Sequence, residues 1–125
     1  IKLLKYLKKK YNVKKQNILG HSDIAPKRKK DPGEKFPWQK LANQNLCKWH
    51  NLSSSKIKNK RNLKINANEK KIFFKNLNKI GYSNIDRLKY KNNLVKAFQR
   101  KFRQNLINGK IDKECLLISN NLVKL

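Results

Sequence analysis

The apolar residues at the start of the chain follow two different patterns. Leu7 and Tyr11 follow Leu4 by three and seven positions with lysines between them, and this spacing predicts an amphipathic helix over residues 1–11. The short apolar run that closes residues 16–19 predicts a strand. A helix followed by a strand that delivers a loop at its end is typical of α/β domains.

A loop rich in proline and glycine follows the predicted strand. Residues 20–37 contain all three prolines of the chain and both a Gly-His and a Pro-Gly step, so we expect a loop of fixed shape. Trp38 and Leu41 then recur at helical spacing after Pro37, a residue that suits the first turn of a helix. The pattern predicts a short helix over residues 38–46.

A polar segment separates this first region from a second one with a purely helical pattern. Residues 51–67 are rich in Ser, Lys, Asn and Arg, which predicts a linker. Three helices are predicted after it, with Asn68 and Asp112 as caps and with glycines at Gly81 and Gly109 ending the first helix and the connection after the second. Their apolar stripes comprise Ile72, Phe73, Leu77 and Ile80; Leu94, Val95, Phe98 and Phe102 on a helix over residues 90–103; and Cys115, Leu116, Ile118, Leu122 and Val123. Three such helices make a minimal bundle.

The charge balance indicates a polyanionic partner. The chain carries 33 Lys and Arg residues against seven Asp and Glu, a formal net charge of +26, and its mean hydropathy is −0.90. Such a charge favours nucleic acid, an anionic glycan or an anionic membrane face. The alternative is compositional, because the lysines are scattered and accompany abundant Asn and Ile, as A/T-rich codons produce. The sequence has no recognition-helix, RNP or zinc-finger pattern and no apolar run of about 18 residues.

The two cysteines are expected to be structural. Cys47 and Cys115 stand far apart in the sequence, and neither belongs to a CxxC pair. This spacing is neither a zinc-finger nor a redox signature. We expect two separate buried thiols, with a disulfide between them as the alternative.

The candidate chemistry lies in the loop of fixed shape. His21, Asp23 and Asp31 are close in sequence there and are candidates for a metal or acid/base centre. Zinc takes imidazole and carboxylate ligands, and a catalytic zinc site uses three protein ligands and an open position. Lys29 is a candidate for stabilising a developing oxyanion. From spacing alone, an ordinary hydrogen-bonding histidine and a solvated lysine remain the alternatives.

The order of residues in this loop resembles the signature of an enzyme family. The matching stretches are Gly20-His21-Ser22-Asp23-Ile24-Ala25-Pro26, Arg28-Lys29, Asp31-Pro32-Gly33 and Phe36-Pro37-Trp38. They resemble the type 2 N-acetylmuramoyl-L-alanine amidases, zinc-dependent peptidoglycan hydrolases that are similar in fold to the peptidoglycan recognition proteins. A later stretch resembles the three-helix peptidoglycan-binding module appended to some of these amidases; it runs Ala97-Phe98-Gln99-Arg100-Lys101-Phe102-Arg103 and then Asn108-Gly109-Lys110-Ile111-Asp112.

The resemblance implies a fold class and a division into domains. The fold would be α/β, a partial type 2 amidase domain like that of the peptidoglycan recognition proteins, followed by a small three-helix bundle. Residues 1–50 would form the C-terminal part of the catalytic domain and residues 51–67 the linker. Residues 68–125 would form the peptidoglycan-binding-like module.

The resemblance also implies roles for individual residues. His21 and Asp31 would be zinc ligands, and Lys29 would be a catalytic residue that stabilises the tetrahedral intermediate. Asp23 would orient the loop or the histidine, and His50 is not expected to bind zinc. The family's first zinc histidine and its catalytic glutamate lie upstream of the matched region. We therefore expect this chain to supply two of three zinc ligands and no general base.

The implied reaction is hydrolysis of the amide bond between N-acetylmuramic acid and L-alanine, for degradation or turnover of the cell wall. Peptidoglycan or muropeptides would be the partners. The alternatives are a non-catalytic peptidoglycan-binding fragment and, less well supported, a basic nucleic-acid-binding protein. The appended module favours the cell envelope or periplasm, with a membrane anchor upstream of Ile1 as one expectation and the cytoplasm as the alternative.

Overall fold

Helices provide the regular secondary structure in the described residues. The computed structural model describes residues 1–83 and 88–125. Its α-helices are α1 (Lys2–Lys10), α2 (His21–Ile24), α3 (Trp38–Asn43), α4 (Ser54–Ile57), α5 (Ala67–Ile80), α6 (Lys91–Phe102) and α7 (Lys113–Lys124). Short 3-10 helices lie at Lys15–Asn17, Lys58–Lys60 and Leu88–Tyr90. Within these two described ranges, no helix has the length and apolar character needed to cross a membrane.

The strand predicted over residues 16–19 is wrong, and so is the α/β class for the part of the chain described. Residues Lys15–Asn17 form a 3-10 turn, and the Ile18 N–H donates to the Lys15 carbonyl at 3.3 Å. Ile18 has an extended backbone, with φ −92° and ψ 100°. An extended residue becomes part of a strand only when a neighbouring strand pairs with it, and the two described ranges contain no strand.

The first fifty residues pack around a small apolar cluster. Its buried members are Trp38, Leu41, Leu46 and Cys47, and Leu4, Ile18, Phe36, Ala42 and Trp49 pack against them. The predicted helix α3 buries Trp38 and Leu41 but ends at Asn43 instead of residue 46. The predicted helix α1 is also present, although it contains no buried residue. Leu4 is half-buried, and Tyr11 at the end of the stripe is exposed.

Helices α5, α6 and α7 confirm the three helices predicted for the second region. Their shared core comprises Phe73, Leu77, Tyr82, Leu94, Val95, Ala97, Phe98, Phe102, Cys115, Leu116, Ile118 and Leu122. The Phe98 ring lies at its centre, 5.2 Å from the Phe73 ring and 5.1 Å from the Phe102 ring. Ile72 was predicted to face this core, but it is 39% exposed. The buried stripe of α5 therefore runs through Phe73.

The caps of two of these helices explain where they begin. The Asp112 side chain accepts from the Cys115 N–H at 3.0 Å, which confirms the predicted cap of α7. The cap predicted for α5 at Asn68 is wrong. The Asn66 side chain accepts from the Glu69 N–H at 2.8 Å, and the Glu69 carboxylate accepts from the Asn66 N–H at 3.2 Å. This reciprocal pair is a capping box, and it starts α5 one residue before Asn68.

The polar segment of residues 51–67 packs against the bundle. Its helix α4 places Ile57 in the core of the bundle. The Arg61 guanidinium then donates two hydrogen bonds to the Glu114 carboxylate, each 3.0 Å long. The Lys113 N–H donates to the Leu63 carbonyl at 2.9 Å. These contacts bind the segment to α7, and the division into residues 1–50, 51–67 and 68–125 stays a prediction.

The two apolar clusters meet at Trp49. Its ring lies against both of them and is 5.3 Å from the Phe102 ring at the end of α6. Close by, the Gln104 side-chain amide donates to the Phe36 carbonyl at 2.7 Å. The first fifty residues are therefore in direct contact with the end of α6.

The cysteines are buried in different clusters, and neither forms a disulfide. This confirms the prediction of two separate thiols. Burial raises the pKa of the Cys115 thiol to about 11. Burial also raises the pKa of the Cys47 thiol. Both thiols are therefore structural groups that stay protonated near neutral pH.

Candidate metal centre

The histidine of the loop lies on a single helical turn. Helix α2 begins after Gly20, whose N–H donates to Asp23 Oδ2 at 2.8 Å, while the Asp23 N–H donates to the Gly20 carbonyl at 3.1 Å. A side chain at position 20 has no room, because an added Cβ would lie 2.5 Å from Pro32 Cδ. The close approach of Gly20 to Pro32 and the two hydrogen bonds between Gly20 and Asp23 therefore orient the helical turn that carries His21.

The loop folds back so that His21 and Asp31 become neighbours. The Ser22 N–H donates to the Asp31 carbonyl at 2.8 Å, which joins the two ends of the loop through the backbone. His21 Nδ1 lies 3.3 Å from Asp31 Oδ2. The two side chains are 47% and 68% exposed. An imidazole and a carboxylate therefore stand side by side at the surface, where an ion or a substrate can reach them.

The two side chains are of the right chemical type to bind the zinc that the family resemblance implies. They are one ligand short of a catalytic zinc site. Imidazole nitrogen and carboxylate oxygen are both zinc donors, and a catalytic site uses three protein ligands with a fourth position left open. Among the described residues, no group of three or more His, Cys, Asp or Glu side chains is placed to hold a metal ion. His21 and Asp31 thus provide two donors of a site that needs a third.

Asp23, also inside the loop, has a different environment from the exposed pair. Its carboxylate is buried, with a residue exposure of 8%. Asp23 Oδ1 accepts from the Tyr82 hydroxyl at 2.7 Å. Asp23 Oδ2 accepts from the Lys101 ammonium at 3.1 Å as well as from the Gly20 N–H. Burial and the nearby Asp23 carboxylate raise the pKa of Tyr82 well above its usual value. Tyr82 is therefore a neutral donor in this network.

Lys101 is the counterion of the Asp23 carboxylate, and this role was not predicted from the sequence. It is 4% exposed, and its ammonium lies 4.3 Å from the centre of the Trp38 ring as well as beside Asp23. A cation over the face of a Trp ring is attracted by the ring quadrupole. One signal in the sequence could have indicated it. Lys101 follows Leu94 by seven positions and Phe98 by three, so it falls on the buried face of α6.

Two further residues singled out in the sequence are Lys29 and His50. Lys29 is half-buried and directly follows the turn formed by residues 26–28. Within the described residues, no hydrogen bond or ion pair joins its ammonium to His21 or Asp31. His50 is buried beside Trp49, with the two ring centres 5.2 Å apart. Burial lowers the pKa of His50.

Known proteins resemble this chain over nearly its whole length. The N-acetylmuramoyl-L-alanine amidase AmiD of Escherichia coli (strain K12) is 31% identical over 126 residues, which cover 99% of this chain and 46% of AmiD. The structure of E. coli AmiD in complex with the substrate anhydro-N-acetylmuramic acid-L-Ala-D-gamma-Glu-L-Lys matches with a TM-score of 0.82 and 30% identity. That match covers 98% of this chain and 49% of the AmiD chain. The chain is homologous to the type 2 N-acetylmuramoyl-L-alanine amidases.

Two further proteins resemble this chain. AmpDh3 of Pseudomonas aeruginosa, in complex with anhydromuramic pentapeptide, matches with a TM-score of 0.78 and 26% identity, over 98% of this chain and 49% of that one. The 1,6-anhydro-N-acetylmuramyl-L-alanine amidase AmpD of Enterobacter cloacae is 55% identical over 32 residues, or 26% of this chain and 17% of AmpD. No family model matches the chain. The chain spans about half the length of AmiD and AmpDh3, so the fold it shares with them is part of the amidase fold.

Proposed function

We propose that the protein carrying this chain hydrolyses the amide bond between N-acetylmuramic acid and L-alanine in peptidoglycan or muropeptides, with His21 and Asp31 as two zinc ligands. The observation that carries the proposal is the pairing of His21 Nδ1 with Asp31 Oδ2 at 3.3 Å in a chain homologous to such amidases. The muropeptide ligands of the AmiD and AmpDh3 structures support this substrate class.

The chain's own residues have distinct tasks in this proposal. His21 and Asp31 hold the metal and leave it open to substrate, because both side chains are exposed. Bound zinc supplies a Lewis acid that polarises the amide carbonyl and acidifies water. Lys29 supplies a positive charge for the oxygen that becomes negative during attack. Asp23 holds the turn that carries His21 through its bond from the Gly20 N–H.

The test compares two carboxylates of the same loop. Asp31→Asn removes a ligand charge, whereas Glu34→Gln removes the charge of another exposed acid of the loop. In the complete gene product, we expect Asp31→Asn to lower zinc affinity and the release of stem peptide from an anhydro-muropeptide by about 100-fold or more, and Glu34→Gln to leave both within about twofold. Equal behaviour of the two variants, or full hydrolysis after removal of metal, would refute the proposal.

The alternative proposal is muropeptide binding without hydrolysis. The described residues provide two metal donors, while a catalytic zinc site needs three. A protein of this kind would bind the anhydro-muropeptide with unchanged affinity in the presence and absence of zinc, and it would release no peptide. Zinc-dependent turnover by the complete gene product would exclude it.

A further inference from the structure

The Asp23 carboxylate joins the loop of the candidate metal centre to the helical bundle. It accepts hydrogen bonds from three donors, which are the Gly20 N–H at 2.8 Å, the Tyr82 hydroxyl at 2.7 Å and the Lys101 ammonium at 3.1 Å. Gly20 lies directly before His21 in the loop. Tyr82 follows the end of α5, and Lys101 lies in the last turn of α6. Two of the three donors therefore come from the bundle.

The energetics of this junction depend on all of its members. Tyr82 and Lys101 are each 4% exposed and Asp23 is 8% exposed, so the ion pair is screened little by water. Removal of one partner of a buried pair leaves the other charge unpaired in a poorly solvated place, which is strongly unfavourable. Without Lys101, the Asp23 carboxylate would turn toward water. The Gly20 N–H, at the start of α2, would then lose its hydrogen-bond acceptor.

We propose, on the basis of the function proposed above, that Tyr82 and Lys101 are positioning residues for the zinc ligand His21. They act through Asp23, which holds Gly20 and thereby the helical turn that places His21 beside Asp31. The bundle is thus a structural component of the metal centre in addition to any role in binding the cell wall.

The experiment uses two variants and three matched controls. Lys101→Met removes the charge, and Tyr82→Phe removes only the hydroxyl that Asp23 accepts. Lys96→Met changes another lysine of α6. Tyr90→Phe changes the half-buried tyrosine that directly precedes α6. Leu94→Ala destabilises the core of the bundle without touching Asp23. Zinc affinity is measured in the complete gene product by competition with a chelator. The unfolding midpoint is also measured for every variant.

The expected result separates positioning from stability. We expect Lys101→Met to weaken zinc binding about 10-fold and Tyr82→Phe to weaken it by less, because partners that orient a metal ligand typically affect affinity on this scale. Lys96→Met and Tyr90→Phe should bind zinc as the unchanged protein does. Leu94→Ala should lower the unfolding midpoint at least as much as Lys101→Met does and yet retain its zinc affinity. If Leu94→Ala weakens binding equally, the role of Lys101 is general stability and the inference fails.

A readout without metal keeps this inference separate from the proposed function. The NMR resonances of the Gly20 amide and the His21 ring report the geometry of the turn in the 125-residue chain. Both should shift in Lys101→Met and Tyr82→Phe and stay unchanged in the Lys96 and Tyr90 controls. Resonances unchanged in all variants would overturn the positioning role. A failure of the unchanged complete gene product to bind zinc, together with shifted resonances, would instead overturn the proposed function alone.

Discussion

The loop that carries His21 and the bundle of α5, α6 and α7 are held in shape by different forces. The bundle is stabilised by many apolar side chains, among which Phe73, Leu77 and Phe98 are completely buried. The loop leaves its two candidate ligands exposed and is held by a few polar contacts at the turn of α2 and at Asp31. Burial energy is distributed over many atoms, whereas a polar junction depends on each member.

This difference indicates how each region responds to substitution. A change in the apolar core of the bundle, away from Tyr82 and Lys101, should alter the free energy of unfolding and leave the loop geometry unaffected until the protein unfolds. A change in the loop should alter the geometry of the candidate site at a smaller cost in stability. The following substitutions test this distinction.

The largest expected effect is on the bundle. Phe98→Ala removes a ring that packs against Phe73 and Phe102 at the centre of the core. We expect the free energy of unfolding to fall by about 3–5 kcal/mol, because the cavity cannot close completely. Ile72→Ala on α5 is the control, and at 39% exposure it should cost about 0.5 kcal/mol. Urea denaturation measures both values, and similar losses would show that the core is not centred on Phe98.

The same contrast explains which features could be predicted from the sequence. The bundle helices repeat apolar residues with the helical period and carry a local cap such as Asp112, so local sequence is sufficient to identify them. The prediction of a strand at residues 16–19 was wrong because a strand depends on a pairing partner, which no local pattern supplies. The proximity of His21 and Asp31 depends on the hydrogen bond from the Ser22 N–H to the Asp31 carbonyl, which closes the proline- and glycine-rich loop. The bonds from Tyr82 and Lys101 to Asp23 span 59 and 78 residues, and no local pattern encodes them.

A smaller effect is expected in the loop, from its two glycines. In Gly20→Ala the added Cβ would lie 2.5 Å from Pro32 Cδ, and the rigid proline ring cannot rotate away. We expect a loss of about 1–3 kcal/mol and a separation of His21 from Asp31, seen as a changed His21 ring resonance. Gly33→Ala is a matched control, because its Cβ would meet nothing within 4 Å. It should change stability by less than about 1 kcal/mol. Identical spectra for the two variants would contradict the close approach at Gly20.

The smallest expected effect concerns His50, which lies beside Trp49 where the two apolar clusters meet. Burial lowers the pKa of His50 below its ordinary value of 6.5, although the Glu114 carboxylate and the Leu52 backbone act in the opposite direction. The unfolded chain therefore takes up a proton at a higher pH than the folded chain does. The stabilising contribution is present above pH 6.5 and is lost as the pH falls from there through the lower pKa of the folded state. His50→Gln should flatten this part of the stability curve, measured by urea denaturation in steps between about pH 5 and 8. If the stability of His50→Gln depends on pH as steeply as that of the unchanged chain, other groups cause the pH dependence. His50, at the junction of the two clusters, would then not be the titrating residue.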